Sequence, residues 1–147
     1  MQSEILKPIV VLVAWSLIMM VWMIAMRLSA LKKLGVDVSK VRGSKPGALD
    51  GVVPDQAQWP AHNYNHLMEQ PTIFYAVALV IAFTGTGNGI NAWIAWAYVA
   101  LRIVHSVFHA TVNQINIRFM LFALASLALA ALTLHAALAV FGWHHGG

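Results

Sequence analysis

The sequence contains no cysteine and few charged residues. Of its 147 residues only 10% are charged and five are acidic, whereas 60% are hydrophobic. Without cysteine the chain has no disulfides, thiolate metal sites or cysteine nucleophiles, and its redox compartment is left open. Soluble domains carry about 25% charged residues, so this composition predicts an integral membrane protein.

The few charges are mostly positive, with a formal net charge of +4. No segment has the pattern of a nucleic-acid-binding module, so we expect no nucleic-acid partner. In membrane proteins, clustered Lys and Arg set the orientation and meet anionic lipid headgroups. Membrane lipid is therefore an expected partner.

Four apolar stretches account for most of the chain, and a spanning helix needs roughly 20 predominantly apolar residues. The stretches cover about residues 8–30, 66–84, 92–112 and 118–141. They predict an all-α fold, an integral membrane four-helix bundle forming a single domain over residues 1–147.

The one long connection covers about residues 31–62 and holds most of the basic residues. These are Lys32, Lys33, Lys40, Arg42 and Lys45. By the positive-inside rule this loop is cytoplasmic, which places both termini outside. Within it, Asp55 is expected to cap a short surface helix from Gln56 to His62.

The third stretch contains polar residues at i, i+3, i+4, i+7 and i+11, which share one face of a helix. They are Arg102, His105, Ser106, His109 and Asn113. An ionisable residue inside a membrane segment indicates a functional site, and an unpaired one costs about 2.5–3.5 kcal/mol by the lenient insertion scale. Arg102 must therefore meet an anion, carbonyl groups or water.

Glu69 is the acid expected near the membrane, and Asn65 precedes it by one helical turn. We predict that Glu69 pairs with Arg102. The alternative is that such a buried pair only fixes the register between two helices. A helix-locking pair would not by itself require the neighbouring histidines and asparagines.

Two histidine pairs suggest a different function. His62 with His66, and His105 with His109, are each spaced i, i+4 and present two imidazoles on one helix face. That spacing is compatible with a metal or a haem. Since the chain lacks cysteine and a second inward carboxylate, polar lining is the favoured interpretation and no metal is expected.

The motifs as a set resemble those of the MAPEG family (membrane-associated proteins in eicosanoid and glutathione metabolism), most closely its bacterial branch. The resemblance lies in an Asn-x-x-x-Glu-x-Pro motif within residues 63–75, an Arg-x-x-His motif within residues 102–109, and Arg118-Phe119. It covers all four stretches in order, although the first matches by position alone.

The resemblance implies a left-handed four-helix bundle assembled as a homotrimer, with glutathione as co-substrate between neighbouring subunits near the cytoplasmic face. The positions implied to bind glutathione are Arg27, Asn65, Glu69, Arg102 and His105. In mammalian members the asparagine lies one residue closer to the glutamate, where this chain has His66.

Glutathione carries two carboxylates and a thiol, so arginines bind the former and a donor must favour the thiolate. Arg118, Asn113 and His109 are the candidate catalytic residues that lower the pKa of the thiol. The implied function is a thiol-dependent transferase or peroxidase for hydrophobic electrophiles or lipid hydroperoxides, in a bacterial inner membrane.

Two departures from the family pattern favour a rival function. Glutathione-using members commonly have tyrosine where this chain has His109, and Arg118 lies at a slightly different offset from Arg102. The rival is a non-catalytic lipid-binding protein of the same fold, whose polar stripe binds a lipid headgroup or carboxylate.

Overall fold

The computed structural model describes residues 2–43, 45 and 47–142. Within these ranges no strand occurs. The helices found there are α1 (Leu6–Lys33), α2 (Asp55–Leu67), α3 (Gln70–Phe83), α4 (Ile90–Thr111) and α5 (Ile115–Phe141), with a short 3-10 helix at Val38–Lys40. The predicted all-α fold is confirmed.

Four helical segments of the described chain are long and apolar enough to span a membrane: α1, α2 together with α3, α4, and α5. The chain is therefore an integral membrane protein with the expected number of spans. The second segment covers Asp55–Phe83, and so begins well before residue 66, its expected start.

The difference arises because α2 buries polar side chains whose amide N–H groups find acceptors elsewhere in the protein. Gln58 donates from Nε2 to the carbonyl of Val53 at 3.4 Å, and Asn63 donates from Nδ2 to Ser106 Oγ at 2.7 Å. Polar groups that find such partners are buried at little cost. The segment expected to be a short surface helix, Gln56 to His62, is therefore helical, but it is part of a longer helix that packs inside the protein.

The start of α2 also differs from the expectation. The residue before the helix is Pro54, with no capping side chain, and Asp55 lies within the first turn. The predicted Asp55 cap is therefore wrong. A carboxylate in the first turn still stabilises the helix through the helix dipole.

A break at Met68 and Glu69 separates α2 from α3. Glu69 has φ −87° and ψ −95°, outside the helical region, and Pro71 follows in the first turn of α3. Proline has no N–H to continue the hydrogen-bond ladder, so the helix is interrupted here. The carbonyl of His66 beside the break accepts from the N–H of Glu69 at 3.3 Å and has a second donor from α4.

Helix α4 is the centre of the bundle, because it packs against α1, α2 and α5. Its Tyr98 ring stacks on Phe74 of α3 with centroids 4.4 Å apart, and the Tyr98 hydroxyl donates to Gln70 Oε1 at 3.1 Å. These contacts hold α3 against α4. The polar stripe of α4 therefore lies where several helices meet.

Candidate functional site

Arg102 is completely buried, with 0% of its surface exposed. Its Nη2 lies 3.0 Å from His66 Nδ1 and donates to the main-chain carbonyl of His66 at 3.2 Å. That carbonyl is at the end of α2, next to the break before Pro71. Arg102 thus meets a carbonyl group, one of the three partners that its burial required.

Glu69 does not pair with Arg102 in this structure. Its side chain is exposed, and the only ion pair among the described residues joins Lys40 to Asp37. Glu69 lies in the break itself, where the backbone leaves the helical conformation. The predicted Glu69–Arg102 pair is therefore wrong for the single chain, and a histidine takes the place of the acid.

The guanidinium of Arg102 has unused donors. Nε and Nη1 have no hydrogen-bond partner within the described chain, although both are buried. The Phe122 ring lies 5.9 Å from the guanidinium carbon, a cation–π distance. An aromatic face stabilises the charge but accepts no conventional hydrogen bond, so Arg102 retains capacity for a further acceptor.

Three imidazoles cluster beside Arg102, and we call His66, His105 and His109 the histidine cluster. Their ring centroids are 5.0 Å apart for His66 and His105, and 5.8 Å apart for the other two pairs. Phe122 contacts His66 edge-on at 5.6 Å. Nδ1 of His109 is buried without a partner within the described residues, so this ring can still exchange a proton or a hydrogen bond.

Ser106 joins three helices at the edge of this cluster. Its Oγ accepts from Asn63 Nδ2 of α2 at 2.7 Å and from Trp15 Nε1 of α1 at 2.9 Å. Asn63 is fully buried. The arrangement fixes the distance of α1 and α2 from the polar face of α4.

The turn between α4 and α5 brings together two of the predicted catalytic residues. Asn113 adopts a left-handed conformation with φ 54°, which asparagine tolerates better than most residues. Its Oδ1 accepts a 2.6 Å hydrogen bond from Arg118 Nη1. His109 lies one helical turn before Asn113.

Arg27 and Asn65, two predicted ligand-binding residues, line one cavity of about 380 Å³ with Lys45, Asp50 and His62. We call it the polar cavity. The residues predicted to bind glutathione therefore do not all lie together in the single chain. Two members line this cavity, whereas Arg102 and His105 are buried among the helices and Glu69 is exposed.

The residues that the sequence analysis did not select for this site are His66, Asn63 and Trp15. His66 had a signal, because the resemblance described above aligned it with an asparagine implied to bind the ligand. Asn63 and Trp15 had none, since their contacts with Ser106 span 43 and 91 positions of the chain. Such pairs become visible only after the helices pack.

The metal alternative has no support in the described residues, which contain no group of three or more His, Cys, Asp or Glu side chains that could hold a metal ion. The i, i+4 pair of His62 and His66 is divided. His62 lines the polar cavity, while His66 faces Arg102.

Comparison with known proteins adds one match. A model of the MAPEG family matches residues 5–138, which is nearly the whole chain. No curated protein and no solved structure matches the chain significantly.

Proposed function

The chain belongs to the MAPEG family, and on that premise we propose that it is a membrane-embedded, glutathione-dependent transferase or peroxidase. Its substrates are hydrophobic electrophiles or lipid hydroperoxides dissolved in the bilayer. The observation that carries this proposal is the polar cavity. Side chains from α1, from α2 and from the loop between them, which we call the basic loop, converge there. Its volume of about 380 Å³ is within the usual range for ligand sites, roughly 300–1,000 Å³.

The charges of the polar cavity suit glutathione. The tripeptide has two carboxylates and one ammonium group, and the lining supplies Arg27, Lys45 and Asp50. In our proposal the two cations bind carboxylates, Asp50 accepts the ammonium group, and the Asn65 amide binds the peptide. Charge-assisted hydrogen bonds of this kind are roughly twice as strong as neutral ones.

Thiol activation is assigned to the turn after α4. Arg118 and Asn113 are hydrogen-bonded to each other there, and His109 has a buried ring nitrogen without a partner in the described chain. A cation or donor beside sulfur stabilises the thiolate. The thiolate forms a carbon–sulfur bond as the leaving group departs with its electron pair. With a hydroperoxide, two thiols become a disulfide while the peroxide gives an alcohol and water.

His109 replaces the tyrosine common in glutathione-using members, and this affects how the thiolate is held. A neutral imidazole has one donor nitrogen and one acceptor nitrogen. It can donate to the sulfur only when the tautomer places its proton on the nitrogen that faces the ligand. A His109→Tyr variant is therefore expected to raise the rate of conjugation.

Assembly and orientation form part of the same proposal. We place Glu69, Arg102 and His105 in a glutathione site that a neighbouring subunit of a homotrimer completes, with the basic loop in the cytoplasm of a bacterial cell and both termini outside. Because the chain has no cysteine, Ser39→Cys and Thr86→Cys variants each carry a single label. Membrane-impermeant maleimide should modify only Thr86→Cys in intact cells, and chemical crosslinking of the purified protein should give trimers.

The activity test uses purified protein in detergent with glutathione and a chromogenic aryl halide. Thiolate and product absorbance are followed, with Arg102→Ala as the background. Arg27→Gln should raise the KM for glutathione about tenfold or more, the worth of a hydrogen bond to a charged group. Arg118→Met should lower kcat. Arg42→Gln removes an exposed loop cation that does not line the polar cavity and should behave like the wild type.

The second candidate is a non-catalytic lipid-binding protein. Burial of Arg102, His105 and His109 in the single chain favours it, because reactants need access to the groups that activate them. If the wild type produces neither thiolate nor product above the Arg102→Ala background, the enzyme proposal fails. Lipid retained through purification by the wild type and lost in Arg102→Ala would then support this candidate.

A further inference from the structure

A second cavity of about 480 Å³ lies between the end of α1 and the basic loop. We call it the apolar cavity. Aliphatic side chains from both segments form most of its lining, namely Leu31, Val36, Val38, Val41 and Val52. A cavity of this size and composition is typical of a small-ligand site.

One charged side chain borders the apolar cavity. Arg27 is part of the lining, and no acidic residue of the described chain lines it. Within the described ranges Arg27 forms neither an ion pair nor a side-chain hydrogen bond in the single chain. A single cation at the edge of an aliphatic cavity matches an amphiphile with one anionic head.

The position of the cavity also fits an amphiphile from the bilayer. Val38 and Val41 are 52% and 57% exposed although they belong to a loop rich in lysine. Lys32 and Lys33 form the last turn of α1, directly before this loop. Basic residues that follow a spanning helix attract anionic lipid to the membrane surface, so the ligand would arrive by partitioning from the membrane.

We propose that the apolar cavity binds one long-chain fatty acid, with its chain against the valines and its carboxylate on Arg27. The planar guanidinium matches a carboxylate in two parallel hydrogen bonds. A single chain suits a cavity with one cation better than a two-chain phospholipid does. This binding site is separate from the histidine cluster and does not depend on thiol chemistry.

The experiment uses full-length protein in nanodiscs of neutral lipid and a photoactivatable palmitic acid carrying a diazirine near the end of its chain. After irradiation, mass spectrometry maps the labelled peptides. The wild type should be labelled within residues 31–52, and the corresponding fatty alcohol should label this segment about tenfold less. That ratio follows from the loss of a hydrogen bond to a charged group.

Two matched pairs of variants test the contacts of the carboxylate and of the hydrocarbon chain of the fatty acid separately. Arg27→Gln should abolish the preference for acid over alcohol, whereas Lys7→Gln, which removes an exposed cation at the opposite end of α1, should keep it. Val41→Gln should reduce labelling by the acid about threefold. Leu34→Gln changes another exposed apolar residue, outside the lining, and should leave labelling unchanged.

The Val41 variant is needed because Arg27 also borders the polar cavity, so the Arg27 variant alone does not distinguish the two cavities, whereas Val41 lines only the apolar one. Equal labelling by acid and alcohol in the wild type would overturn the proposal, as would equal effects within either matched pair. A photoactivatable anionic phospholipid is tested in competition with the acid. If it labels residues 31–52 preferentially, the ligand of the cavity is a phospholipid and not a fatty acid. Labelling spread evenly over the spanning helices would mean that the cavity holds no specific ligand.

Discussion

Removal of one hydroxyl group, in Ser106→Ala, should destabilise the bundle more than the size of the change suggests. Ser106 Oγ is the acceptor for Asn63 Nδ2 at 2.7 Å and for Trp15 Nε1 at 2.9 Å. The substitution removes a single oxygen and leaves little cavity, so the energetic effect comes from the two donors. Both belong to other helices.

The magnitude follows from the burial of the two donors. Hydrogen bonds between membrane helices contribute about 0.6 kcal/mol each on average, which gives about 1.2 kcal/mol for the pair. Asn63 is 0% exposed, so its amide finds no water in the variant, and an unsatisfied buried donor costs about 1–3 kcal/mol. We therefore expect the free energy of unfolding to fall by about 2 kcal/mol.

The assay is reversible unfolding in mixed micelles titrated with sodium dodecyl sulfate and followed by tryptophan fluorescence. Thr133→Val is the control, because the Thr133 hydroxyl donates only to the Leu129 carbonyl of its own helix. In the double variant Ser106→Ala/Asn63→Leu the orphaned amide is absent, so the two effects should be non-additive by more than about 0.5 kcal/mol. If Ser106→Ala matches Thr133→Val, or if the double variant is additive, the reasoning is refuted.

Three further predictions concern other positions and use the same unfolding assay. Asn113→Gly removes the acceptor of Arg118 but tolerates φ 54°, whereas Asn113→Ala adds backbone strain, so alanine should be less stable than glycine by about 1–2 kcal/mol. A Cβ at Gly87 would clash with Ser3 Oγ and with the fully buried Ile5, so Gly87→Ala should destabilise the protein, and Ser3→Gly should restore part of the loss. Glu69→Gln should change the free energy of unfolding by less than about 0.5 kcal/mol, because Glu69 is exposed and forms no ion pair within the described chain. If the same variant binds glutathione more weakly in isothermal titration, Glu69 belongs to the ligand site.

The apolar stretches predicted the membrane class and the number of spans, because each helix must be long and apolar enough in its own right. The polar stripe of α4 was also predictable, since Arg102, His105, Ser106 and His109 recur at helical spacing on one face. All four are buried. These features depend on local periodicity, which a sequence displays directly.

The partner of Arg102 was not predictable in the same way. Charge alone favoured Glu69, but the backbone breaks at Met68 and Glu69 and turns that carboxylate outward. The carbonyl of His66 beside this break accepts from the N–H of Glu69 at 3.3 Å and also from Arg102 at 3.2 Å. The choice between an acid and a carbonyl depended on backbone geometry at one turn.

The sequence by itself determined that this is a membrane-spanning helical protein with a polar face on its third span, and the family motifs lie on that face, on the span before it and at the start of the last span. Only the tertiary structure decided which groups meet. It joined Trp15 and Asn63 to Ser106 across three helices, gathered the histidine cluster under Arg102, and separated Arg27 and Asn65 from that cluster into the polar cavity. The physical reason is that helix periodicity assigns a residue to a face, whereas contacts between faces depend on how distant segments pack.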